Sequence, residues 1–220
     1  MEPTYFTAQS WVLSNVTNLY KALAEIDAIR SQMARALEFR GYGPATLAAT
    51  GVLALLASAV QSRWVKNPAG AIGSYLAIWT ATAAVSVIII SIETITRTRR
   101  IHSALASELI HSAVEHFLPA IVAGLLLTIV FVRYLPSSVW MLPGLWQVIF
   151  SLGVFSSCQF LPRAMFAVGV WYLATGLTCL ALGDGGWAFS PWVMGVPFGI
   201  GQLLVAAVLQ FHYREADEEP

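Results

Sequence analysis

Residues 97–116 read Arg97-Thr98-Arg99-Arg100-Ile101-His102-Ser103-Ala104-Leu105-Ala106-Ser107-Glu108-Leu109-Ile110-His111-Ser112-Ala113-Val114-Glu115-His116. Long apolar runs lie on both sides of this polar stretch. It holds the densest basic cluster and three of the four histidines. If the flanking runs cross a membrane, the side on which this stretch falls fixes the topology of the whole chain.

Composition supports the membrane reading. The 220 residues are 57% hydrophobic and only 11% charged, where a soluble domain carries about 25% charged residues. Mean hydropathy is +0.69. Twelve basic and twelve acidic residues cancel, so no electrostatic footprint for a nucleic-acid partner is present. The first forty residues lack the basic and apolar regions of a signal peptide.

Six apolar segments follow residue 42, at about 43–62, 71–93, 118–134, 139–157, 164–182 and 192–211. Each is roughly twenty residues, enough to cross a hydrocarbon core of about 30 Å at 1.5 Å per residue. Between them stand turn residues: Gly41-Tyr42-Gly43-Pro44, Asn67-Pro68, Leu135-Pro136, Leu161-Pro162 and Gly183-Asp184-Gly185-Gly186. The fold class read from this is an all-α integral membrane protein. It has six transmembrane helices in three hairpins, with an N-terminal amphipathic cytoplasmic helix.

That N-terminal helix is expected within 1–41. Residues 4–40 contain no Gly or Pro, and Leu19, Leu23, Ile26, Met33 and Leu37 recur at the spacing of one helix face. The six-span unit then covers 42–212, and 213–220 form an acidic tail with Glu215, Asp217, Glu218 and Glu219. Placing the N-terminus inside puts Lys21, Arg30, Arg35, Arg40, Arg97, Arg99, Arg100, Arg163 and Arg214 on the cytoplasmic side. Arg63, Lys66 and Arg133 remain outside. Basic residues favour the cytoplasmic side, so both termini and the loop 94–117 are expected inside, in a bacterial inner membrane. Trp64, Trp140, Trp187 and Trp192 mark the outer boundary as an aromatic belt.

His116-Phe117-Leu118-Pro119 before the third span and Gln159-Phe160-Leu161-Pro162 before the fifth hint at repeated hairpins. Residues 74–118 contain no Gly or Pro, so helix is free to run on from the second span. Thr94, Thr96 and Thr98 are the weakest helix formers there, and the turn is expected near them. Small residues recur every four positions: Thr46, Thr50, Ala54 and Ser58; Gly73, Ala77 and Ala81; Gly195 and Gly199. Such stripes let helix backbones approach closely and read as packing seams.

No ionisable residue sits near the middle of any span, whereas proton relays and ion paths place them there. The spans likewise lack paired aspartates, a Ser–His pair and His-Glu-x-x-His, and no Gly-rich phosphate loop or paired-Cys metal motif is present in the sequence. Cys158 and Cys179 fall near opposite ends of consecutive spans, too far apart for a disulfide. Tyr75, Thr80, Ser86, Gln147, Thr175 and Gln202 read as hydrogen-bonding groups between helices.

One metal-ligand spacing exists. Glu108, His111 and Glu115 stand at i, i+3 and i+7 on one helical face, and Glu-x-x-His recurs in carboxylate-bridged metal bundles. Here it occurs once, with Glu25, Asp27 and Glu38 as outside partners, and a solvated helix face is the ordinary alternative.

The sequence therefore leads to a non-enzymatic, accessory, sensory or scaffold protein without cofactor. It would act through cytoplasmic helices on a protein partner or a second copy. A carrier or channel for a neutral or lipid-like solute is the alternative, with Tyr75, Thr80, Gln147 and Gln202 as a polar path. A membrane-bound metalloprotein using Glu108, His111 and Glu115 is the third. A tightly packed bundle would separate the first from the second.

Overall fold

A computed structural model describes residues 43–66, 70–101, 104–158 and 161–218, with side chains outside 97–101, 104–114, 184–186 and 212–218. These belong to one compact unit. The expected N-terminal helix lies outside the described residues.

Among the described residues there are six α-helices: α1 Pro44–Trp64, α2 Ile72–Ile101, α3 Ala104–Tyr134, α4 Leu142–Ser157, α5 Met165–Leu182 and α6 Pro191–Glu218. Short 3-10 helices, Pro136–Met141 and Asp184–Phe189, precede α4 and α6. Proline sets several starts. Pro44 and Pro143 occupy the first turns of α1 and α4, where the missing N–H costs nothing and the fixed φ suits the helix. All six helices are long and apolar enough to cross a membrane, counting the 3-10 turn Pro136–Met141 with α4. The chain has the character of a multi-pass membrane protein.

The turn expected near Thr94, Thr96 and Thr98 is not there. Helix α2 runs through all three to Ile101, and α3 starts at Ala104. Threonine's helix penalty is well under 1 kcal/mol, and nothing in this stretch breaks a helix. The Thr96 hydroxyl donates back to the Ile92 carbonyl inside the same helix. Pro119 likewise does not open α3 but lies inside it.

The most extensive interface joins the first and last helices, α1 and α6; α4 with α5 comes next, then α3 with α4. Glycine sets both of the tightest crossings. A Cβ on Gly195 of α6 would sit 1.7 Å from the Ser58 Oγ of α1, and one on Gly199 would sit 2.9 Å from Leu55. Gly144 of α4 and Gly176 of α5 face one another reciprocally. A Cβ on either would stand 2.8 Å or 2.9 Å from the other's carbonyl oxygen. In a bilayer, where lipid tails are as apolar as leucine, such close approach is what drives helix association.

Two of the small-residue stripes are thus seams: Thr50, Ala54 and Ser58 are buried against the Gly195–Gly199 face. The third is not. Gly73, Ala77 and Ala81 are exposed, and a Cβ on Gly73 would meet nothing within 4 Å. None of the apolar window Glu115–Tyr134 of α3 is buried. Its Leu118, Ile121, Leu125 and Ile129 point outward, a surface too apolar for water and suited to lipid.

Candidate functional site

The 3-10 turns Pro136–Met141 and Asp184–Phe189 pack against one another at one end of the bundle, and a buried glutamine lies beneath them. Gln61, in the last turn of α1, has no exposed surface. Its Nε2 donates to the Phe189 carbonyl at 2.9 Å, and its Oε1 accepts from the Trp79 indole N–H of α2 at 2.8 Å. One amide therefore ties α1, α2 and the turn before α6. Tyr75 packs edge-on to Phe189, ring centroids 5.2 Å apart.

One turn deeper, Pro197 interrupts the hydrogen bonding of α6. Without an N–H it cannot serve the carbonyl four residues back, on Val193. Gln147 of α4 serves it instead: Nε2 donates to that carbonyl at 3.0 Å, with the Met194 sulfur 3.8 Å away. Trp171 of α5 donates its indole N–H to the Pro197 carbonyl at 3.0 Å. Neighbouring helices thus satisfy the backbone that a proline frees, as spanning helices require.

Of the polar residues read as interhelical, two do that work. Gln147 is one. Gln202 is the other, with Thr50 donating towards its Oε1 at 3.4 Å. Thr80, Ser86 and Thr175 instead donate to carbonyls of their own helices. Thr80 lies on the exposed side of α2. The hydroxyls of Tyr75 and Tyr172 and the Oε1 of Gln147 are buried without a hydrogen bond, with Gln202 beside Tyr172. Of the four residues of the notional polar path, Tyr75 and Gln147 are buried and Thr80 is exposed.

A groove of about 410 Å³ does open between α5 and α6. Trp171, Thr175, Cys179, Trp187, Trp192 and Pro197 line it. Cys179 is buried, and both cysteines are free thiols.

For the metal-ligand spacing, the backbone of α3 is helical throughout 108–115. At 100° per residue, Glu108, His111 and Glu115 then fall within an arc of about 60°. The side chains of Glu108 and His111 lie outside the described residues, as do Glu25, Asp27 and Glu38; Glu115 is exposed. Among the described residues no three His, Cys, Asp or Glu side chains are grouped to hold an ion.

Sequence reasoning missed Gln61 and Trp171. Nothing in the sequence singles these two out; Pro197, by orphaning the Val193 carbonyl, signals only the donor Gln147. No family model matches the chain, and neither the curated proteins nor the solved structures compared with it give a match.

Proposed function

We propose that this is a non-enzymatic inner-membrane protein, an accessory, sensory or scaffold component whose helices meet a partner at one face of the membrane. In this reading the spans form three hairpins, both termini are cytoplasmic, and residues 1–41 form an amphipathic cytoplasmic helix. The observation that carries it is the close packing of the bundle. The backbones of Gly144 and Gly176 approach one another, and those of Gly195 and Gly199 lie against α1. Tyr75 and Gln147 retain no exposed surface. Such a bundle suits a platform better than a conduit.

Helix lengths support the same reading. Helix α2 continues past its apolar window, which ends at Thr96, to Ile101. Helix α3 begins at Ala104, well before its window opens at Glu115, and α6 continues past Phe211 to Glu218. All three extensions leave the bundle at the end opposite the short connections. The partner would be a cytoplasmic protein or a second copy.

Affinity purification of the tagged chain from native membranes in mild detergent tests this. The expected result is a stoichiometric protein partner or a second copy, lost on Leu23→Asp with Ile26→Asp. A strictly monomeric chain with no companion refutes it.

The groove between α5 and α6 favours a second reading, a carrier of a lipid-like solute. Its tryptophan and proline lining is mostly apolar, with Thr175 and Cys179 as polar accents. Co-purification of one lipid species, lost on Trp171→Ala, would favour that reading over the first.

A further inference from the structure

Helix α3 is the span the bundle covers least, and its apolar window Glu115–Tyr134 ends on a cation. Arg133 is exposed in its last turn. A charged side chain at the edge of a span calls for a partner. The carboxylates whose side chains are described, Glu93 and Glu115, both lie towards the α2–α3 connection. Glu115 is 18 residues, about 27 Å of helix, from Arg133. No Asp or Glu occurs between Glu115 and Asp184. A shallow hollow of about 410 Å³ sits beside the guanidinium, lined by Thr128, Ile129, Val132 and Arg133. The Thr128 hydroxyl is already used: it donates to the Gly124 carbonyl at 2.7 Å and accepts from the Trp146 indole N–H at 2.9 Å. Arg133 is therefore the polar group of the hollow left to meet a ligand.

We propose that this end of α3 docks an anionic phospholipid, its phosphate on Arg133 and one acyl chain along the helix. Ile129, Leu126, Leu125 and Val122 follow one another down the same face, and all are exposed. From Val122 to Arg133 the helix rises about 16 Å, half of a hydrocarbon core of about 30 Å. The cation thus stands at headgroup level above an apolar track one leaflet deep. A guanidinium offers paired donors to phosphate oxygens, where lysine offers a point charge. The ammonium of a zwitterionic headgroup would meet none of the described carboxylates at this end. The charge balance therefore selects a headgroup whose only charge is the phosphate, as in phosphatidylglycerol. Tyr134, also exposed, is a ring of the kind that settles at this level.

Native mass spectrometry of the full chain in detergent micelles, titrated with phosphatidylglycerol or with phosphatidylcholine of equal chain length, tests the site. The expected result is a first phosphatidylglycerol bound several-fold more tightly than phosphatidylcholine. Arg133→Gln should remove the preference and Arg133→Lys should keep only part of it. Arg63→Gln, at the end of α1, should leave it unchanged. Glycerol phosphate, which has the phosphate without the acyl chain, should not displace the lipid at equal concentration. Equal affinity for the two lipids in the unaltered chain would overturn the proposal. So would a preference that survives Arg133→Gln, or displacement by glycerol phosphate. A preference that emerges only in Asp184→Asn would also overturn it, because that carboxylate would then be the partner of Arg133.

Discussion

Gln147 and Pro197 are joined through a carbonyl that belongs to neither. Pro197 lacks the N–H that would bind the Val193 oxygen, and Gln147 supplies one from α4 at 3.0 Å. Interhelical hydrogen bonds in bilayers average about 0.6 kcal/mol and reach about 1.7. Gln147→Leu is expected to cost towards the upper figure, because it leaves a buried carbonyl bare. In a Pro197→Ala background, where the backbone serves Val193 itself, the same change should cost less. A double-mutant cycle by thermal unfolding in detergent measures this, and strict additivity would refute the relationship.

Two glycines carry predictions of opposite sign, Gly195 in the α1–α6 seam and Gly73 on the exposed side of α2. Gly195→Ala drives a methyl into Ser58 and should destabilise by about 1–3 kcal/mol, as overpacking does. Pairing it with Ser58→Gly removes the clashing atoms and should recover part of the loss. Gly73→Ala meets nothing and should be neutral or stabilising by up to about 1 kcal/mol through helix propensity. Unfolding midpoints of the three variants decide the matter.

Gln61 should behave as a shared fastening. Trp79→Phe strands one buried acceptor at an expected cost of about 1–2 kcal/mol, and Gln61→Leu strands both the Trp79 indole and the Phe189 carbonyl. The double variant should cost less than the sum of the two. Faster hydrogen exchange of α2 amides in either single variant would accompany the loss.

Much of this was legible from residue types. The six apolar runs, their proline and glycine boundaries and the seam glycines Gly195 and Gly199 were written in composition and spacing. The course of the backbone through 94–101 was not, because threonine propensities differ from their neighbours by less than tertiary context supplies. The fate of the Gly73-Ala77-Ala81 stripe was not legible either. A small-residue repeat states that a backbone is approachable and says nothing of what approaches it. Helix α1 met α6 instead, and α2 was left with that face outward. Among the polar residues, threonine and serine can bond their own helix at i−4, as Thr80 and Ser86 do. Glutamine is long enough to cross to another, and only structure decides which glutamine does.

The Glu108, His111 and Glu115 spacing yields to elemental analysis. A divalent ion bound there needs a neutral imidazole, so occupancy should fall as pH drops below about 6.5. His111→Ala should abolish it with the unfolding midpoint unchanged. Purified chain without metal above background retires the site.

The account rests most heavily on a chain that crosses the membrane six times, with residues 102–103 and the turn at Pro136–Met141 on opposite sides. Cysteine substitutions at Ser103 and Ser137, in a background with Cys158 and Cys179 replaced by alanine, place each with an impermeant thiol reagent in intact cells. The account predicts labelling at Ser137 from outside and at Ser103 only after permeabilisation. Equal labelling of both positions from the outside would contradict it.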